Sequence, residues 1–166
     1  MVSKDDMITI FLAVLWLHLF AAIIFIGGSF FIWLVVWPAS YDITSNEAER
    51  TKIVGKIAKR FAYFTHASIV TLVLSGIYLA FYVSSPSGLF STFVGNLLLA
   101  KIIVVIVMIA LMYLNNLYHG KKIMRLASQG KLDEVKRVRR LTHLASYVTL
   151  ALMVLITIFG AAIVVL

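Results

Sequence analysis

The sequence contains no cysteine, and only 13% of its residues are charged. The absence of cysteine excludes disulfide bonds and thiolate metal sites. A soluble domain is about one quarter charged, so this chain has too few polar groups to cover a surface that faces water. Its hydrophobic share of 62% and its mean hydropathy of +1.01 favour a protein whose surface is covered by lipid.

Four apolar stretches are long enough to form transmembrane helices, which need about 20 apolar residues each. The stretches cover residues 7–37, 61–83, 93–118 and 141–166. Pro38 is expected to end the first helix. Of the 15 basic and 7 acidic residues, Lys101 alone lies inside a stretch. The sequence therefore predicts an all-α, integral membrane, four-helix up-down bundle that forms a single transmembrane domain over residues 1–166.

The basic residues concentrate in two segments, 38–60 and 119–140. Cytoplasmic segments carry the excess of Lys and Arg, so we expect both ends of the chain on the outer side (N-out/C-out) of a plasma membrane. The net charge of +8 follows from this topology, and no nucleic-acid partner is expected. The segments either anchor the helices at anionic headgroups or bind a cytoplasmic partner. Thr44 to Glu47 has the pattern of a helix capping box.

Ionisable side chains at membrane depth are costly and usually mark function. At a rise of about 1.5 Å per residue, His18 and Lys101 lie towards the outer side of their spans, whereas His66 and His143 lie towards the inner side. Helices one and three are diagonal in an up-down bundle, as are helices two and four. Each pair of side chains would therefore cross the core, as the axial ligands of a haem do.

Two further polar patterns leave alternatives open. On the third helix, Met108, Met112, Asn115 and His119 share a face with Lys101. The two methionines and His119 are either packing and anchoring residues or soft metal ligands. On the second helix, a polar stripe lies opposite His66; its members are Ser68, Thr71, Ser75 and Tyr78. Either this stripe makes hydrogen bonds between helices, or His66 has a role other than ligation.

Two stretches carry a family resemblance: Leu17-His18-Leu19-Phe20-Ala21-Ala22, continuing through Gly27-Gly28 to Trp37-Pro38, and Ala100-Lys101-Ile102-Ile103. They resemble the copper-resistance D-like (CopD-like) membrane proteins and the related bacterial membrane protoporphyrinogen oxidases. The resemblance implies a protein that binds haem b or handles copper, with functional roles for His18 and Lys101. Residues 139–143 lack the Asn-Glu-Val-Pro-like signature of the oxidase branch, which argues against porphyrinogen oxidation.

We therefore predict a b-type, cytochrome b-like haem protein that transfers electrons in the membrane. His18, His66 and His143 are the predicted haem-iron ligands, and Lys101 is either a neutral ligand or the partner of a haem propionate. The sequence leaves open whether the protein binds one haem or two, whether it is a haem-dependent oxidoreductase, and whether it forms a homo-oligomer. A quinone or another membrane redox partner is expected. The alternatives are copper handling, with Met108, Met112 and His119 as further ligands, and a non-catalytic membrane subunit.

Overall fold

The protein is all-helical throughout the residues that its structure, a computed structural model, describes, namely 3–83 and 90–165. Six side chains inside the helices are not described: Glu47, Ala48, Met124, Ala127, Ser128 and Leu132. Within these described residues, four helices are long and apolar enough to cross a membrane, as the sequence predicts. The chain divides into two helical pairs, residues 1–85 and 86–166. The sequence Ser84-Ser85-Pro86-Ser87-Gly88, whose composition predicts a turn, lies outside the described residues.

The first helical pair consists of α1 (Lys4–Ile43) and α2 (Glu47–Val83). A capping box begins α1, in which the Ser3 hydroxyl accepts from the backbone N–H of Asp5 and the Asp6 carboxylate accepts from that of Ser3, both at 3.1 Å. These contacts satisfy N–H groups that have no partner within the helix. They also place negative charge at the positive end of the helix dipole.

The prediction that α1 ends at Pro38 is wrong, because the helix continues to Ile43. A π-helical turn over Ile32–Val36 directly precedes Trp37 and Pro38. Proline breaks an α-helix because it lacks an N–H and its ring meets the carbonyl four residues earlier. That carbonyl belongs to a residue inside the π turn, where the bonding pattern has already shifted from i−4 to i−5. The helix therefore tolerates the proline.

The start of α2 differs from the predicted capping box. The side chain of Asn46 accepts a hydrogen bond from the backbone N–H of Glu49 at 3.3 Å, which is the bond an N-cap residue makes. Thr44 lies two residues earlier, in extended backbone, and its hydroxyl donates to the Glu49 carboxylate at 2.8 Å. The predicted contribution of the Glu47 side chain lies outside the described residues.

An aromatic ladder covers the C-terminal end of α1. Trp33, Trp37 and Tyr41 follow one another with ring centroids 6.1 Å apart at each step. The guanidinium of Arg50 from α2 lies 3.9 Å from the centre of the Tyr41 ring, which is a cation–π contact. Aromatic and basic side chains together are typical of a membrane–water interface, so this end of the first pair has the chemistry of an anchor.

The second helical pair consists of α3 (Phe93–Leu114), a π turn (Asn115–His119), α4 (Gly120–Ser128) and α5 (Leu132–Val165). A turn at Gly130, whose φ is +71°, joins α4 to α5. The backbone N–H of Lys131 donates to the carbonyl of Leu126 at 3.1 Å, which is the closing bond of a Schellman motif. Glycine is favoured there because other residues rarely adopt this conformation.

The turn folds α4 back onto the start of α5. Leu126, Val135 and Val138 form a small buried core, and Ile123 packs against it. The basic residues of this segment lie around that core: Lys121, Lys122, Arg125, Lys131, Lys136, Arg137, Arg139 and Arg140. The predicted basic segment is thus a helical hairpin with its own apolar contacts.

Candidate functional site

A seam of heptad-spaced side chains joins the two helices of the first pair. We name it the first seam, and it consists of Phe11, His18 and Phe25 on α1 and Ser68, Ser75 and Tyr82 on α2. Residues seven apart lie on one face of a helix, and two such faces pack as in a coiled coil. The rings of Phe11 and Tyr82 stack with centroids 4.3 Å apart. At the other end, Phe25 and Ser68 are both buried.

His18 makes the polar contact at the centre of this seam. Its Nδ1 lies 2.8 Å from the Ser75 hydroxyl oxygen, and that hydroxyl donates to the carbonyl of Thr71 at 2.5 Å. Because serine has a single hydroxyl hydrogen, the Nδ1–H of His18 must be the donor in the first bond. The network thereby assigns the tautomer and leaves the lone pair of the neutral ring on Nε2.

The ring of His18 also packs against a glycine of the facing helix. A Cβ atom on Gly76 would lie 3.4 Å from Cε1 of His18, so the imidazole packs closely against the backbone of α2. Small residues at such positions let membrane helices approach each other. Two glycines of α1 differ in their surroundings. A Cβ atom on Gly28 would meet the ring of Phe61, whereas a Cβ atom on Gly27 would meet nothing within 4 Å.

The polar stripe of α2 faces α1, and this decides one of the alternatives left open by the sequence. Ser68 and Ser75 are buried, and Ser75 bonds to His18 on the other helix. The stripe therefore makes a hydrogen bond between helices, as one alternative predicted. His66 is exposed and lies on the opposite side of α2. The first helical pair does not bring His66 and His18 together.

A second seam of the same kind joins α3 to α5. It consists of Lys101, Met108 and Asn115 on α3 and Ser146, Met153 and Gly160 on α5, again at intervals of seven. At one end, Nζ of Lys101 lies 3.2 Å from the position that a Cβ on Gly160 would take. At the other end, the amide nitrogen of Asn115 donates to the Ser146 hydroxyl at 3.1 Å. These two contacts fix the register of the antiparallel helices.

Met108 and Met153 occupy the middle of the second seam. Met108 lies halfway between Lys101 and Asn115, and Met153 lies halfway between Ser146 and Gly160. Because Lys101 faces Gly160 and Asn115 faces Ser146, the two methionines lie at the same level to within about one helical turn. Both are buried, with 4% and 2% of their surfaces exposed. The seam thus places two thioethers deep within an apolar span.

A polar network closes the end of the second seam that lies nearer to α4. The Asn115 amide nitrogen donates to the carbonyl of Thr142 at 3.3 Å as well as to Ser146. Its amide oxygen lies 2.8 Å from Nδ1 of His119 and can only accept, so His119 donates from Nδ1. Asn115 and His119 begin and end a π turn, and such turns frequently occur at functional sites. His119 is therefore part of a defined network.

Comparison with known protein families identifies the family of this chain. The family model of copper resistance protein D matches residues 55–165, which is two thirds of the chain. This chain belongs to that family. No curated protein and no solved structure matches the chain. The matched range contains Lys101 and the whole second seam, whereas the stretch around His18 that carried much of the resemblance lies before it.

In this copper resistance protein D family member, the predicted ligand pairs stay predictions. The pairs His18 with Lys101 and His66 with His143 would each join the two helical pairs. Among residues 3–83 and 90–165, no group of three His, Asp or Glu side chains could hold a metal ion. The contacts described above place His18 in the first seam and Lys101 in the second. His143 is partly buried on α5.

Met153 of this family member was not among the site residues predicted from the sequence. The signal was available, since Met153 lies seven residues from both Ser146 and Gly160. A periodic pattern on one helix does not reveal which residue of another helix faces it. The contacts of Lys101 and Asn115 with α5 place Met153 opposite Met108.

Proposed function

We propose that this membrane protein handles copper by binding Cu(I) within the bilayer, with both chain ends outside the plasma membrane. The match to the copper resistance protein D family over residues 55–165 carries this proposal. The matched range includes three methionines inside spans: Met108, Met112 and Met153. Because the chain contains no cysteine, thioether and imidazole groups are its soft metal ligands, and Cu(I) favours soft ligands.

Metal binding by the purified protein tests the proposal. The protein is reconstituted in lipid nanodiscs and exposed to Cu(I) under reducing conditions, with Zn(II) and Mg(II) as parallel samples. We expect copper to remain bound after gel filtration at one or more ions per chain, and Mg(II) to be lost. A preparation that retains no Cu(I) would contradict copper handling. Empty nanodiscs serve as the control for copper bound by lipid.

A b-type haem protein is the second candidate, and the environment of His18 favours it. The Nδ1–H of His18 donates to Ser75 at 2.8 Å, so the lone pair of the neutral imidazole is on Nε2. Histidine ligands of metals commonly have the other ring nitrogen fixed in this way. His18 thus fits haem iron chemically, and we propose His66, His143 and Lys101 as further haem-binding residues. Haem would supply one-electron transfer, with a quinone or another membrane redox partner.

An absorption spectrum separates the two candidates. A haem protein shows a Soret band and a change in its α-band on reduction, and a copper protein without porphyrin shows neither. The protein is produced in medium with added haem precursor, so that the supply of haem does not limit its incorporation. A colourless preparation that binds Cu(I) would support copper handling and contradict the haem function. A preparation that contains haem and does not bind Cu(I) would make the haem function the first candidate.

A further inference from the structure

We infer that Met108, Met112 and Met153 form a three-thioether site for Cu(I) in the middle of the second seam. The inference rests on the proposed copper function and assigns the ligands for that function to one helical pair. Met108 and Met112 lie one helical turn apart on α3, and Met153 lies on α5. The imidazole groups of the protein are not required for this site.

The register of the second seam brings these residues to one level. Lys101 meets Gly160 at one end, and Asn115 bonds to Ser146 at the other. Each contact is seven residues from the methionine on its helix, or about 10 Å along the axis. Met108 and Met153 therefore lie opposite each other. Met112 follows one turn later on the same face as Met108.

The directions of the side chains bring the sulfur atoms closer together. A long side chain on a helix points back towards the N-terminal end of that helix. Because α3 and α5 are antiparallel, Met112 points towards the level of Met108, and Met153 points towards the level of Met112. The two sulfur atoms therefore converge between these levels. By the same rule Met108 points towards the level of Lys101, so its sulfur reaches this point through a change of rotamer about its three rotatable bonds.

The surroundings favour a soft monovalent ion over a hard divalent one. Met108 and Met153 are buried, Met112 is partly buried, and all three thioethers are neutral. The nearby oxygen and amide groups have partners of their own, since Thr149 donates to the Ala145 carbonyl at 2.9 Å and Asn115 bonds to Ser146. Cu(I) accepts thioether ligands in an apolar setting, whereas Mg(II) and Ca(II) require oxygen ligands.

The test replaces the sulfur atoms and keeps the packing. Met108→Leu and Met153→Leu, singly and together, conserve the apolar volume, and such exchanges usually preserve a core. Met7→Leu is the matched control, because Met7 is exposed on α1. Each variant in nanodiscs competes with a Cu(I) chelator, and X-ray absorption identifies the atoms bound to copper. Circular dichroism and thermal unfolding confirm that each variant is folded.

We expect the wild type and Met7→Leu to bind Cu(I) equally, with sulfur as the main scatterer around copper. Loss of an outer-shell partner alone typically lowers metal affinity about 10- to 100-fold, so each single seam variant should lose at least about tenfold. Normal affinity in the folded double variant, or nitrogen ligands alone in the wild type, would overturn this assignment while leaving copper handling intact. Absence of Cu(I) from the wild type would instead contradict the proposed function itself.

Discussion

Alanine substitutions at two adjacent glycines of α1 should differ in their effect on the stability of the first helical pair. A Cβ atom on Gly28 would run into the ring of Phe61 on α2, closer than any ordinary van der Waals contact. A Cβ atom on Gly27 would meet nothing within 4 Å. The two substitutions share the same change in composition, so Gly27→Ala is the control for Gly28→Ala.

The expected magnitudes follow from two terms. Alanine favours a helix over glycine by about 1 kcal/mol, and both substitutions gain this term. Inserting an extra carbon into a packed interface costs about 1–3 kcal/mol, and only Gly28→Ala has this cost. We therefore expect Gly27→Ala to be neutral or stabilising and Gly28→Ala to be about 1–3 kcal/mol less stable than Gly27→Ala.

Reversible unfolding in mixed micelles, followed by circular dichroism, measures the difference between the two variants. A double-mutant cycle with Phe61→Ala then identifies the cause, because residues in contact show non-additive effects. Without the Phe61 ring, the extra carbon at Gly28 should have little cost. Equal stability of the two alanine variants, or a cost at Gly28 that persists without the ring, would refute the packing of α1 on α2 at this level.

Two further predictions concern hydrogen bonding and topology. Ser75→Ala should lower the free energy of unfolding by about 0.6–1.7 kcal/mol, because it removes the acceptor of the His18 Nδ1–H. An unchanged free energy of unfolding would argue against that hydrogen bond. In this cysteine-free chain, an impermeant maleimide should label Ser3→Cys in intact cells and Gln129→Cys only after permeabilisation, and the reverse pattern would invert the proposed topology.

Composition and charge were sufficient to predict the four helices. An apolar stretch in a bilayer must satisfy every backbone group internally, so the helical state follows from length and hydropathy alone. The end of α1 was not predictable in this way. A proline such as Pro38 is expected to disrupt an α-helix in any sequence. The π turn over Ile32–Val36 depends on how the helix packs, and it removes the clash of the proline ring with the carbonyl four residues earlier.

The candidate site was only half predictable, for a reason that applies to helical membrane proteins in general. The stripe containing Lys101, Met108 and Asn115 was visible because it lies on one helix, where a fixed angle per residue determines the face. Its partner stripe on α5 depends on the register between two helices, and lipid gives no hydrophobic force that would set the register from composition. Specific contacts set it instead, here those of Lys101 with Gly160 and of Asn115 with Ser146. Because Met153 owes its position opposite Met108 to these contacts, loss of the Asn115 amide should weaken copper binding even though Asn115 is not a proposed ligand.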